Sequence, residues 1–208
     1  MKKLLIILLL ANSSTLFSQE VTANEILNNI SIKIKSYNNI TISFILIIEN
    51  KTQNIYEQKE GILMLNQNNL RIEIDQQIII SDGKNKWIYL KDVNELQIMQ
   101  NEKEDSILNI NYFFKDYNNK YKYKYIKLDT EHDRKSHIID LFPKEESYFM
   151  KIQLSVDISQ EKIFNIILFD KNGGTYKYLI NKFETNTNIP SFKFDPKKYP
   201  DVEIIDLR

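Results

Sequence analysis

The sequence contains no cysteine. That excludes disulfides, thiolate metal ligands, cysteine nucleophiles and acylation of a lipobox cysteine. Only four glycines are present in 208 residues, which nearly excludes glycine-rich phosphate loops. His132 and His137 are the whole imidazole supply. The 28 basic residues are matched by 28 acidic ones, so the basic excess of a nucleic-acid binder is missing. No apolar run reaches the ~20 residues of a membrane-spanning helix. What is plentiful is isoleucine together with 12 Tyr and 11 Phe, a composition that favours strands. A chain of this length holds one ordinary domain with a full core.

The N-terminus reads as an address. Met1-Lys2-Lys3 is a short basic segment, Leu4 to Leu10 is an unbroken apolar run, and Ala11 to Ser18 is mostly small and polar. This three-part pattern is that of a secretory signal peptide. Cleavage is expected after Ser18, with residues 19–208 as a single mature domain. An uncleaved anchor is disfavoured by the shortness of the apolar run.

One amphipathic helix should come first. Thr22 and Glu25 form a capping box, and Val21 with Ile26 can form a hydrophobic staple around it. Ile26, Ile30, Ile34 and Tyr37 then recur at helical spacing until Asn38-Asn39. Strands follow. Thr41–Glu49 is β-branched and apolar on both faces, and Glu60–Leu65 leads through a turn at residues 66–69 to Leu70–Asp75. In this last strand Leu70, Ile72 and Ile74 alternate with Arg71, Glu73 and Asp75. Gln77–Ser81 and Lys86–Leu90 flank Asp82-Gly83, a strong hairpin signal, and Glu95–Gln100 completes a meander. Ser106–Tyr117 is apolar around most of a helical circumference, so something must cover it. Tyr121, Tyr123 and Tyr125 then alternate with lysines. Four more strands are expected at His137–Phe142, Phe149–Val156, Ile163–Phe169 and Thr175–Glu184, and the tail from Phe192 to Arg208 should be mostly irregular. About ten to eleven strands in meander order make a curved antiparallel sheet or barrel.

Catalytic sets are missing. There is no G-x-S-x-G elbow, the two histidines are read as surface or strand-filling residues, and Glu145-Glu146 stands in a turn beside Pro143-Lys144. No metal and no cofactor is expected. Trp87 and Tyr89 share one strand face, where they either pack the core or line a cavity.

The run Ser81-Asp82-Gly83-Lys84, then Trp87-Ile88-Tyr89 and Val93, resembles the central signature of the outer-membrane lipoprotein carrier proteins, the LolA-like family. Ser43-Phe44, Gly61, Leu70-Arg71-Ile72, Leu141-Phe142-Pro143-Lys144, the turn from Asp170 to Gly173, Phe192-Lys193-Phe194-Asp195-Pro196 and Asp206-Leu207-Arg208 follow in that family's order. The resemblance implies an unclosed antiparallel β-barrel whose concave side is plugged by the N-terminal helix and short lid helices. It implies a periplasmic carrier, not an enzyme, that takes acylated lipoproteins from an inner-membrane ABC transporter to an outer-membrane acceptor. A monomer suffices for that task. An envelope lipid-binding sensor of the same half-barrel type is the alternative. The family's arginine-proline pair before the third strand has no counterpart here, where the loop reads Asn66-Gln67-Asn68.

On this reading the acyl-chain cavity is lined by Phe44, Leu63, Leu70, Ile72, Trp87, Tyr89 and Ile98. Ile107, Ile110, Phe113 and Phe114 close over it as a lid. Replacing Phe113 and Phe114 with Asp is expected to abolish lipoprotein release while leaving the fold intact.

Overall fold

The computed structural model of the chain describes residues 22–100, 110–131 and 134–208. Helix α1, Ala23–Lys35, begins as the capping box demands. The Thr22 hydroxyl accepts from the Glu25 N–H, and the Glu25 carboxylate accepts from the Thr22 N–H at 2.9 Å. Ile26, Leu27, Ile30 and Ile34 are buried along one face. Each such side chain contributes about 1.5–3 kcal/mol on burial. Val21 lies outside the described residues, as do the segment read as a signal peptide, Ile107 and His132.

Six strands follow α1: β1 (Ile40–Asn50), β2 (Ile55–Asn66), β3 (Asn69–Ile74), β4 (Gln77–Ser81), β5 (Asn85–Leu90) and β6 (Glu95–Gln100). Helix α2 (Ile110–Lys120) interrupts them. Then come β7 (Tyr121–Glu131), β8 (Arg134–Pro143), β9 (Phe149–Asp157), β10 (Lys162–Asp170) and β11 (Thr175–Thr185). The β4–β5 turn is built as its residues suggest. Gly83 takes a φ of +85°, and the Asp82 carboxylate accepts from the N–H groups of Lys84 and Asn85 at 2.9 and 2.7 Å.

All the strands join one sheet in the order β12-β6-β5-β4-β3-β2-β1-β11-β10-β9-β8-β7, where β12 is Glu203–Asp206. Strands β1 to β6 and strands β7 to β11 each pair antiparallel in sequence order, and β1 joins the two halves by pairing antiparallel with both β2 and β11. The sheet ends at β12 and β7, so the barrel is unclosed, as expected. The twelfth strand was not expected. The tail contains β12, which lies parallel to β6, and a short 3-10 turn over Pro196–Lys198.

The sheet's two faces are unequal. The concave face carries Ile40, Ile42, Phe44 and Leu46 from β1, Leu63 and Leu65 from β2, and Ile139, Leu141, Ile152, Leu154 and Leu168 from the second half. These pack with α1 and α2 into one core. A bulge between β1 and β11 at Ser43/Phe44 lets both Phe183 and Ile180 face this side, opposite Ile42 and Phe44.

Candidate functional site

Cross-strand pairing decides which residues share the concave face, because directly opposed residues point to the same side. Leu63 is opposite Ile72, Ile72 opposite Ile79, and Ile79 opposite Ile88. Phe44 is opposite Gly61, and Leu65 opposite Leu70. Phe44, Leu63, Leu70 and Ile72 therefore lie together on the concave side, and all four belong to the core under the helices.

Trp87, Tyr89 and Ile98 do not join them. Trp87 is opposite Ile80, which is opposite Arg71. Tyr89 is opposite Ile78, which is opposite Glu73. This is the outer face, where Arg71 and Glu73 form an ion pair at 2.7 Å. A second, smaller core forms there. The tail folds back so that Phe192, Phe194, Tyr199 and Val202 cover Trp87, Tyr89, Ile98 and their neighbours. The Tyr89 ring stands 4.4 Å from Tyr199 and 5.4 Å from Phe194. The expectation that the three residues line the same cavity as Leu63 is thus corrected by the register. Their places on the concave face are taken by Ile79 and Ile88.

Much of the concave lining comes from the second half of the sheet, which the sequence reading left out of the site. Tyr176, Tyr178 and Ile180 alternate along β11 and stand opposite Ile48, Leu46 and Phe44. Phe44 and Tyr178 have ring centroids 5.6 Å apart. From there aromatics run to the rim: Phe149 stands 5.8 Å from Tyr176, and the exposed Tyr148 stands 5.1 Å from Phe149. Burial pushes the Tyr178 phenol up to about 12. The signal for these residues was present in the alternation of Tyr176, Tyr178 and Ile180 with Lys177 and Leu179.

The covering helices meet over this surface. Phe113 and Phe114 sit on α2, 7% and 1% exposed, packed into the same core as α1. Ile110 opens α2, while Ile107 is outside the described residues. The helical expectation over Ser106–Tyr117 is met from Ile110 onward, and the helix runs on to Lys120. Because Phe114 is fully buried, an Asp there would also cost core stability, so the paired Asp substitution is expected to destabilise the fold. His137 stands on β8 with its Nδ1 3.2 Å from the Tyr125 hydroxyl. Burial lowers its pKa and favours the neutral ring.

The apolar pocket between α1 and β10–β11, lined by Ile30, Ile34, Tyr37, Ile163, Ile180 and Phe183 among others, has a cavity volume of about 20 Å³. That holds roughly one water, whereas ligand pockets occupy roughly 300–1,000 Å³. A larger groove of about 480 Å³ is lined by Glu57, Gln58, Lys59, Glu60 and Asp75 and is too polar for an acyl chain. No helix among the described residues is long and apolar enough to cross a membrane.

A curved, apolar, helix-covered sheet of this order agrees with a family match. The family model described as "Outer membrane lipoprotein carrier protein LolA" matches residues 35–197. The chain belongs to the LolA family. The outer-membrane lipoprotein carrier protein of Legionella pneumophila (strain Corby) is 25% identical to this LolA family chain over 211 residues, covering 97% of it and 98% of the relative. An uncharacterized conserved protein from Thermus thermophilus shares the fold at a TM-score of 0.57, with 11% identity over 88% of this chain and 98% of its own. A LolA superfamily protein from Nitrosomonas europaea matches with a TM-score of 0.45 and 13% identity, over 82% and 96% of the two chains.

Proposed function

We propose that this LolA family chain is a periplasmic carrier that shields the acyl chains of lipoproteins between the inner and outer membranes. The observation that carries the reading is the concave face. It is apolar from Ile139 through Phe44 to Ile79 and is covered by two helices rather than by a second sheet. Helices can leave such a face one at a time, whereas a paired sheet cannot. Each acyl CH₂ withdrawn from water is worth about 0.8 kcal/mol, so exposed chains could not cross an aqueous compartment unaided. The acyl chains would lie against Phe44, Leu63, Leu70, Ile72 and Tyr178. An inner-membrane ABC transporter would load them, and an outer-membrane acceptor would remove them. Residues 1–18 would direct export, leaving Gln19 as the first residue of the mature chain, which N-terminal sequencing checks.

The deciding experiment is mass spectrometry of what co-purifies with the chain from its native periplasm. Acylated proteins are expected. Free phospholipid alone would point to a lipid transporter instead, and an empty protein would overturn the carrier reading.

A further inference from the structure

The sheet is split along one seam. Residues 165–169 of β10 pair with residues 175–179 of β11, and there the pairing stops. β10 begins at Lys162 and β11 runs on to Thr185, so residues 162–164 and 180–183 flank each other without a ladder. Both strands stay bound on their other sides. Lys162 and Ile163 pair with Asp157 and Val156 of β9. Ile180, Lys182 and Phe183 pair with Phe44, Ser43 and Ile42 of β1.

The cause is a pair of bulges at one level. Phe164 is the extra residue of β10 against β9, and Asn181 is the extra residue of β11 against β1. A bulge bends its strand and raises the local twist. Two bulges on adjacent strands, just past the last pair Asn165 and Leu179, turn the strand ends apart.

The gap passes through the sheet rather than hollowing one face. Successive residues of a strand point to opposite faces, yet all of residues 162–164 and 180–183 line one crevice of about 150 Å³. Its outer end is polar. Arg134 and Asp157 form an ion pair there at 3.2 Å, with Gln160 and Asn181 beside it. At the inner end Ile163, Ile180 and Phe183 also line the apolar pocket against α1. The walls between are strand edges, whose N–H and C=O groups on the gap side are not used in the β10–β11 ladder. An acyl chain offers such groups nothing. An extended peptide satisfies them, as an added strand does at a sheet edge.

We propose that this seam seats the peptide that follows the acylated residue of a cargo protein. The acyl chains lie on the concave side, a few residues of main chain occupy the gap, and the rest of the cargo stays outside. The proposal rests on the carrier reading and adds the place where the cargo's peptide is held. Extended chain rises roughly 3.3 Å per residue, so the open edge along residues 180–183 matches about four residues of peptide. The narrow crevice admits small polar side chains such as serine and asparagine.

The test uses the full mature chain and a synthetic lipopeptide, S-dipalmitoylglyceryl-Cys-Ser-Asn-Ser-Asn, beside palmitic acid, which carries no peptide. With the lipopeptide, amide hydrogen exchange should slow at residues 162–164 and 180–183. With palmitic acid it should stay unchanged there. N-methylation of two main-chain amides of the lipopeptide should weaken it by about fivefold or more, since each net hydrogen bond is worth a factor of about two to ten. Asn181→Trp, at an exposed position lining the gap, should weaken the lipopeptide by a similar factor and leave palmitic acid binding and the urea midpoint unaltered. Lipopeptide binding without protection of the two edges, and without an effect of N-methylation, would overturn the seam while the carrier reading stands. If neither the lipopeptide nor palmitic acid binds, the carrier reading fails and the seam proposal fails with it.

Discussion

The far end of the Phe44 ring fills the space beside Gly61, its cross-strand partner: a β-carbon on Gly61 would stand 2.5 Å from Phe44 Cζ. Phe44 is 4% exposed, so its ring has nowhere to retreat. Gly61→Ala should therefore destabilise the fold by about 1–3 kcal/mol, as overpacking does. The Phe44→Leu, Gly61→Ala double variant should recover part of that loss, because the two residues compete for one space. Urea unfolding of the four proteins of the cycle measures this. Additive losses would show that the ring does not set the need for glycine.

Trp87 is the one tryptophan of the chain, and it lies under the C-terminal tail on the outer face. Its emission should report on the tail and stay unmoved when an acyl probe enters the concave face. Phe194→Ala should shift the emission to the red by opening the smaller core to water. A large emission change on acyl binding, with the Phe194 variant silent, would place Trp87 on the wrong face.

Tyr178 should remain un-ionised to about pH 12. The folded protein holds this proton more tightly than the unfolded chain. Stability is thus unaffected below pH 10 and falls as pH rises from 10 toward 12, by about 2–3 kcal/mol over that window. Tyr178→Phe should flatten this part of the stability–pH curve in chemical unfolding at fixed ionic strength.

At the other extreme, the Arg208 guanidinium and N–H donate to the Asp206 carboxylate and hold its pKa down to about 2. A lowered pKa contributes stability that is present above the ordinary carboxylate range and lost as pH falls from about 4 to about 2. Protection of the β12 amides, taken relative to intrinsic exchange at each pH, should fall across that window, and in Asp206→Asn it should be low and change little with pH.

The hairpins were legible because their turn chemistry is local. Asp82-Gly83 and the alternation in Leu70–Asp75 each act over a few residues, and the capping box of Thr22 and Glu25 acts over one helical turn. The misplacement of Trp87 has an equally specific cause. Residues 78–80 are all isoleucine, so β4 is apolar on both faces and transmits no parity from Ile72 to Trp87. Parity had to be carried through the turns instead. The tight turn at Asp75-Gln76 sets Ile72 against Ile79, and the one at Asp82-Gly83 sets Ile79 against Ile88. That puts Trp87 and Tyr89 one residue out of phase with Ile72, and a one-residue offset moves a strand's whole side-chain set to the other face.

By itself the sequence determined the β-rich class, the leading helix, most strand boundaries and the fact that Trp87 and Tyr89 point the same way. These depend on periodicities of two and 3.6 residues and on turns, all carried by neighbours in the chain. The tertiary structure alone decided which face is the site. It brought β11 beside β1, folded the tail over Trp87, and set Ser31 against the Phe114 carbonyl across 83 residues of chain. An amphipathic strand specifies that one side must be covered. What covers it depends on elements distant in sequence that compete for the same apolar surface.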